Sequence, residues 1–121
     1  MSEVGAAKAE LALTLQGEGL DVYSYIPARV TPPVIVIRPA SQYITPSSVG
    51  RGYTANLELQ VIAGTADNES SSDDLDDLIE EAILALPADA GLKEVSAPYT
   101  LVANGNDYLA ATIGIDLQLS I

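Results

Sequence analysis

Residues 111–121 read Ala-Thr-Ile-Gly-Ile-Asp-Leu-Gln-Leu-Ser-Ile and alternate almost without fault. Ala111, Ile113, Ile115, Leu117, Leu119 and Ile121 fall on one face. Thr112, Gly114, Asp116, Gln118 and Ser120 fall on the other. A period of two over this length is a long, half-buried strand. It runs to the last residue, so the chain is expected to end inside its sheet.

Working backwards, Asn104-Gly105 separates this run from a second apolar stretch, Tyr99 to Ala103. Asn-Gly between two such stretches signals a tight hairpin, with strands at 99–103 and 108–121. Residues 92–95 make a marginal short strand. Upstream, Leu75, Leu78, Ile79, Ala82, Ile83 and Leu86 form one helical stripe, which Pro87 terminates. Ser70, Ser71 or Ser72 is the expected N-cap, and the aspartates that follow suit the positive end of the helix dipole.

The first half reads in the same way. Val4, Ala7, Leu11 and Leu15 share a helical face, with Ala12 and Leu13 widening it, Ser2 as N-cap and Gly17 and Gly19 as the stop. A strand is expected at 21–26. Val34-Ile35-Val36-Ile37 is four β-branched residues in a row, the mark of a strand covered on both faces, and Arg38 and Pro39 are expected to end it. Residues 40–52 are rich in Ser, Gly and Pro and read as a long connection, mobile in a free subunit. Residues 53–63 alternate again, with Leu57, Leu59 and Val61 against Asn56, Glu58 and Gln60. The order is α-β-β-β-α-β-β. One α+β domain over residues 1–121 is expected, a two-layer sandwich with two helices packed on a mostly antiparallel sheet.

Composition narrows the function. His and Cys are absent, which removes Ser-His and Cys-His catalysis, the usual structural zinc sites and disulfides. No phosphate-cradling glycine motif occurs, and no metal, cofactor or enzymatic activity is expected. The acidic stretch fails as a calcium loop. With Asp67 first, the position that needs Gly holds Ser72 and the position that needs Glu holds Leu78. Carboxylates one helical turn apart, such as Asp73 and Asp77, are neighbours on a solvated face and not an acid–base pair across a cleft. Seventeen acids against five bases give a net charge of −12, which argues against holding a nucleic-acid backbone. No signal-peptide pattern or membrane-length apolar run is present, so folding in a cytoplasm is the expectation. Tyr23 and Tyr25 read as sheet tyrosines, since no basic residues flank them.

Taken together, these elements resemble the tail terminator (tail completion) proteins of long-tailed bacteriophages. The resemblance rests on the N-terminal helix and Gly turn before Leu20-Asp21-Val22-Tyr23, on Ile26-Pro27, and on the Pro32-Pro33-Val34-Ile35-Val36 strand. It continues through Tyr43 with Pro46, the Leu57-Leu59-Val61 strand, the helix ending in Leu86-Pro87 and the closing strand, and so covers nearly the whole chain. It implies a ring, commonly a hexamer, on the head-proximal end of the tail tube. Such a ring stops tube growth and joins the head connector. The implied partners are further copies, the major tail tube protein and the connector protein. DNA passes through without being specifically bound, and the location is the virion, after assembly in the host cytoplasm. A head–tail connector or neck protein is the neighbouring reading, and a monomeric peptide- or ligand-binding module is the reading of a different class. Arg29, Arg38, Tyr43 and Arg51 are the candidate interface residues, because bases are scarce here and cluster near the central loops. Asp67, Glu69, Asp73, Asp74, Asp76 and Asp77 are candidate channel-facing acids, with helix capping and solubility as the competing role.

Overall fold

The computed structural model describes residues 3–17, 19–23, 33–46, 52–65, 69–87, 90–103 and 105–120. It is an α+β arrangement of two helices on a six-stranded, mostly antiparallel mixed sheet. In chain order the elements are α1 (Glu3–Gly17), β1 (Val22–Tyr23), β2 (Val34–Pro46), β3 (Gly52–Thr65), α2 (Glu69–Ala85), β4 (Ala90–Val95), β5 (Tyr99–Ala103) and β6 (Asn106–Ser120). Three strands therefore follow α2: the marginal strand expected at 92–95 is present, begins at Ala90, and adds one to the expected order.

The closing run is β6, and it is the spine of the sheet. Along one side it pairs with β3 from Gly52↔Ser120 to Thr65↔Tyr108. On its other side lie β4, registered as Ala90↔Leu117 to Val95↔Ile113, and β5, registered as Tyr99↔Ala110 to Ala103↔Asn106. The two short strands are thus one interrupted edge. The break at 96–98 is bridged by Ser96 N–H donating to Thr112 O at 2.8 Å. Pro98 has no N–H to give a ladder, which explains why the edge splits there. Because β3 and the β4–β5 edge flank it, β6 is internal over most of its length and does not supply a free edge.

Alternation decides what each face carries. Ala111, Ile113, Ile115 and Leu117 of β6 join Ala55, Leu57, Leu59 and Val61 of β3 in the main core. Both helices pack on that face, α2 through Leu75, Leu78 and Ala82 and α1 through Leu11, Ala12 and Leu15. Leu13 is exposed, although the sequence suggested it as part of the stripe. It lies about 200° around the helix from Leu11, so it points away. Gly19 has φ +85° and ends α1. Its N–H donates to Gln16 O at 3.0 Å and Leu20 N–H donates to Leu15 O at 3.4 Å, the paired bonds of a Schellman cap. Helix α2 begins at Glu69, so Ser70, Ser71 and Ser72 are inside its first turn and do not precede it. An acid at the helix start is itself favoured by the dipole.

The largest departure from expectation is at 40–52. Residues 40–46 are not a loop; they continue β2 to Pro46, paired as Ile44↔Ala55 to Pro46↔Tyr53. Pro39 does not stop the strand. It pairs opposite Leu57, and since Ile35 N–H donates outward to Asp21 O, the nitrogen two positions beyond Ile37 also faces away from β3, so the missing N–H costs that ladder nothing. The register slips between Pro39 and Ile44, where extra residues of β2 face Asn56. The Asn56 side chain fills the slip. Its Nδ2 donates to Gln42 O at 2.8 Å and to Thr45 Oγ1 at 3.2 Å. Residues 47–51 of the expected loop lie outside the described residues, as do residues 24–26 of the expected first strand.

The bulge therefore depends on one buried amide. Asn56→Ala is expected to destabilise the fold by about 1–3 kcal/mol, since the bonds of the Asn56 amide to Gln42 O, Thr45 Oγ1 and Lys93 Nζ are lost together. Chemical denaturation would measure the loss. Hydrogen exchange should quicken first between residues 40 and 45.

Candidate functional site

The face of the sheet away from the helices is polar at its centre. β3 contributes Thr54, Asn56, Glu58 and Gln60, set directly opposite Gln118, Asp116, Gly114 and Thr112 of β6. Arg38 of β2 stands opposite Glu58, and its Nε donates to Glu58 Oε2 at 2.9 Å. This half-exposed ion pair orients two side chains more than it stabilises the fold. At one end the face turns apolar, where Val34, Ile62, Tyr108 and Ala110 form a small second core with Tyr23, Tyr99 and Leu101 against it.

Two hydrogen-bonded groups organise the polar centre. In the first, Gln60 Nε2 donates to Tyr99 OH at 3.0 Å, and Tyr99 OH and Thr112 Oγ1 share a bond of 2.8 Å. Thr112 N–H donates to Ser96 Oγ at 2.9 Å, so the network closes on the broken edge between β4 and β5. In the second, Lys93 Nζ donates to Asn56 Oδ1 at 3.3 Å, which ties β4 across β6 to the β2 bulge. Asn56 is 5% exposed and Gln60 is 8% exposed, so both amides need these partners.

The same residues line two adjoining depressions. One, of about 240 Å³, is bounded by Ala40, Ser41, Gln42, Asn56, Lys93 and Glu94. The other, of about 300 Å³, is bounded by Arg38, Ser96 and Thr112. Glu58, Glu94 and Gly114 belong to both. Gly114 matters because Glu94 crosses it: a Cβ there would sit 3.3 Å from Glu94 Cγ. A Cβ on Gly91 would overlap Asp116 Oδ1 in the same way. Both glycines let side chains of the adjacent strand lie flat across the sheet. The surface offers donors and acceptors of both signs. Among the described residues no three His, Cys, Asp or Glu side chains are grouped to hold a metal ion.

The residues singled out from the sequence are dispersed. Arg38 lies on this face, paired within its own chain. Tyr43 is half-buried against the main core, and Lys8 Nζ lies 5.6 Å from its ring centre, so it links β2 to α1. Arg29, Arg51 and Asp67 lie outside the described residues, and Glu69 is the first residue of α2. Asp73, Asp74, Asp76 and Asp77 are exposed on α2, on the layer opposite the polar face. Asp74 and Asp77, with Glu81, border a separate depression beside Pro33, Ala63 and Leu78. The polar centre itself was missed. Asn56 and Gln60 sit on the outward half of a strand, where burial leaves no mark in an alternating pattern. Gly114 in mid-strand was the one signal that something crosses close to the backbone.

Compared with known proteins, the chain matches no protein-family model and no curated protein.

The network around Tyr99 is directly testable. Tyr99→Phe removes the hydroxyl that joins Gln60 to Thr112 while keeping the ring. A loss of about 1–2 kcal/mol is expected, because Gln60 is left with an unmet donor. Thermal unfolding checks it, and Gln60→Leu in the same background should recover part of the loss.

Proposed function

We propose that this chain is a structural virion subunit that forms a ring, commonly of six copies, on the head-proximal end of a phage tail tube. There it stops tube polymerisation and joins the tail to the head connector. The observation that carries the reading is the placement of two hairpins. The last described pairs of β2 with β3 lie beside the C-terminal end of β6, and the β5–β6 hairpin closes at the other end of the same spine strand. Each end presents an exposed aliphatic side chain, Ile44 at 47% and Val102 at 69%. A cap between two unlike partners needs two separate contact ends on one rigid body, and this arrangement provides them. The resemblance of the element pattern supports the same reading.

Arg38 and Tyr43 are engaged within the chain, so the contact role moves toward the hairpin ends. The exposed acids of α2 suit a wall that DNA passes without sticking. A connector or neck protein would use the same two ends with different partners. A monomeric module binding a peptide or small polar ligand is favoured by one observation, the adjoining depressions around Glu58, Glu94 and Gly114.

Electron microscopy of the protein mixed with polymerising tail tubes tests the proposal. Tubes of limited length with ring density at one end are expected. Unchecked tube growth with no end density would contradict it. Ile44→Glu and Val102→Glu should each abolish binding to one partner only, with stability changed by about 0.5 kcal/mol or less, as for exposed positions. Loss of both partners with either change would contradict the two-ended arrangement.

A further inference from the structure

β4 is an exposed edge that is symmetric in its chemistry. Leu92 is 48% exposed and Val95 is 39% exposed, although both sit opposite core residues, Ile115 and Ile113. Residues directly opposite share a face, so both aliphatic side chains stand on the helix side of the sheet, beyond the cover of either helix. They are three residues apart, and an unbroken strand would put them on opposite faces. The register slip between Leu92 and Glu94 corrects this by inserting Lys93. Lys93 reaches Asn56, and Glu94 pairs with Gly114, so these two stand on the polar side. Gly91, opposite Asp116, does too. Ser96 bonds Thr112 and lines the polar depression. From Gly91 to Ser96 the faces therefore run polar, helix, polar, polar, helix, polar. That order reads the same in both directions.

We infer that β4 is a two-fold contact surface that pairs antiparallel with β4 of a second copy of this chain, Leu92 opposite Val95 and Lys93 opposite Glu94. An axis normal to the sheet keeps both helix layers on one side. With the axis on Lys93 or Glu94, or between either one and its aliphatic neighbour, an aliphatic residue would face a charged one across the seam. An axis on Leu92 or Val95 sets that residue opposite itself, and only the central axis sets each lysine against a glutamate. Leu92 and Val95 then cover each other, and Lys93 keeps one N–H on Asn56 Oδ1 while another turns to the opposed carboxylate. Pro98 ends the usable edge, so the pairing is short and closes at two copies. The net charge of −12 on each copy does not forbid it. At about 0.15 M salt, long-range repulsion is screened beyond roughly 8 Å, while the opposed pairs lie closer than that.

This inference does not rest on the tail-terminator reading. Under that reading the pair is the form of the free subunit, because a cap with unlike ends needs head-to-tail contacts and the pair must part first.

Sedimentation equilibrium and native mass spectrometry of the full chain test it, with thermal melts as a folding control. The wild-type chain is expected to dimerise. Lys93→Glu and Glu94→Lys each set like charges opposite one another twice, and each should weaken self-association about tenfold or more. An equimolar mixture of the two variants should form a heterodimer, and the double variant should dimerise like wild type. Wild-type protein that stays monomeric, or that forms only larger rings, would overturn the pairing and leave the tail reading standing. Single variants that associate like wild type, or a mixture that forms no heterodimer, would also overturn it.

Discussion

The antiparallel pairing of β3 with β6 is the constraint on which the rest of the structure depends. It fixes which face of each strand is apolar, because a slip of one residue would turn Leu57, Leu59, Ile113 and Ile115 out of the core together. All four are essentially inaccessible to solvent, and truncating any such aliphatic residue typically costs about 2–5 kcal/mol. With that face set, α1 and α2 have one place to bury their stripes. β2 is placed against β3, and the β4–β5 edge against β6. The core needs no aromatic ring at its centre, since branched aliphatic side chains on a regular pair fill it.

One slip lies in this pairing itself, where Ala63 is the extra residue between Ile62 and Gly64, and the others sit where the pairing meets its neighbours. β2 carries extra residues opposite Asn56, β4 carries Lys93, and the β4–β5 edge breaks before Pro98. Each leaves backbone groups that a regular ladder would have satisfied. Side chains of the polar face take their place: Asn56 for the first, Ser96 for the last. The polar centre is therefore structural before it is anything else. It is also why a sheet face with no helix over it holds two nearly buried amides.

The alternation of residues 111–121, the stripe from Leu75 to Leu86 and the Asn104-Gly105 turn made the α+β class and most elements legible in the sequence. These signals are local and periodic. The β2 extension was not legible, because Pro39 and the serines after it look like loop chemistry, and the residue that holds them in a strand, Asn56, lies across the hairpin. The polar centre was half legible. Asn56, Glu58 and Gln60 were readable as a polar face, but their burial comes from Tyr99, Lys93 and Glu94, which long-range pairing brings in. Helix α2 lost its expected serine cap because Glu69 starts the helix one residue earlier. Among the candidate interface residues, Arg38 and Tyr43 turned out to have partners within the chain, Glu58 and Lys8.

The proposed role rests on shape and edges. A spine strand carrying a hairpin at each end gives a subunit two contact regions that move as one body, provided that the spine is the most stable part of the molecule. Native-state hydrogen exchange across a series of low denaturant concentrations measures this directly. The central amides of β3 and β6, around Leu59 and Ile113, should open only with global unfolding, with an exchange free energy equal to that from denaturant melting, while the β4 edge opens at lower cost. Exchange of the β3 and β6 amides through local openings, with the helices more strongly protected, would contradict the account.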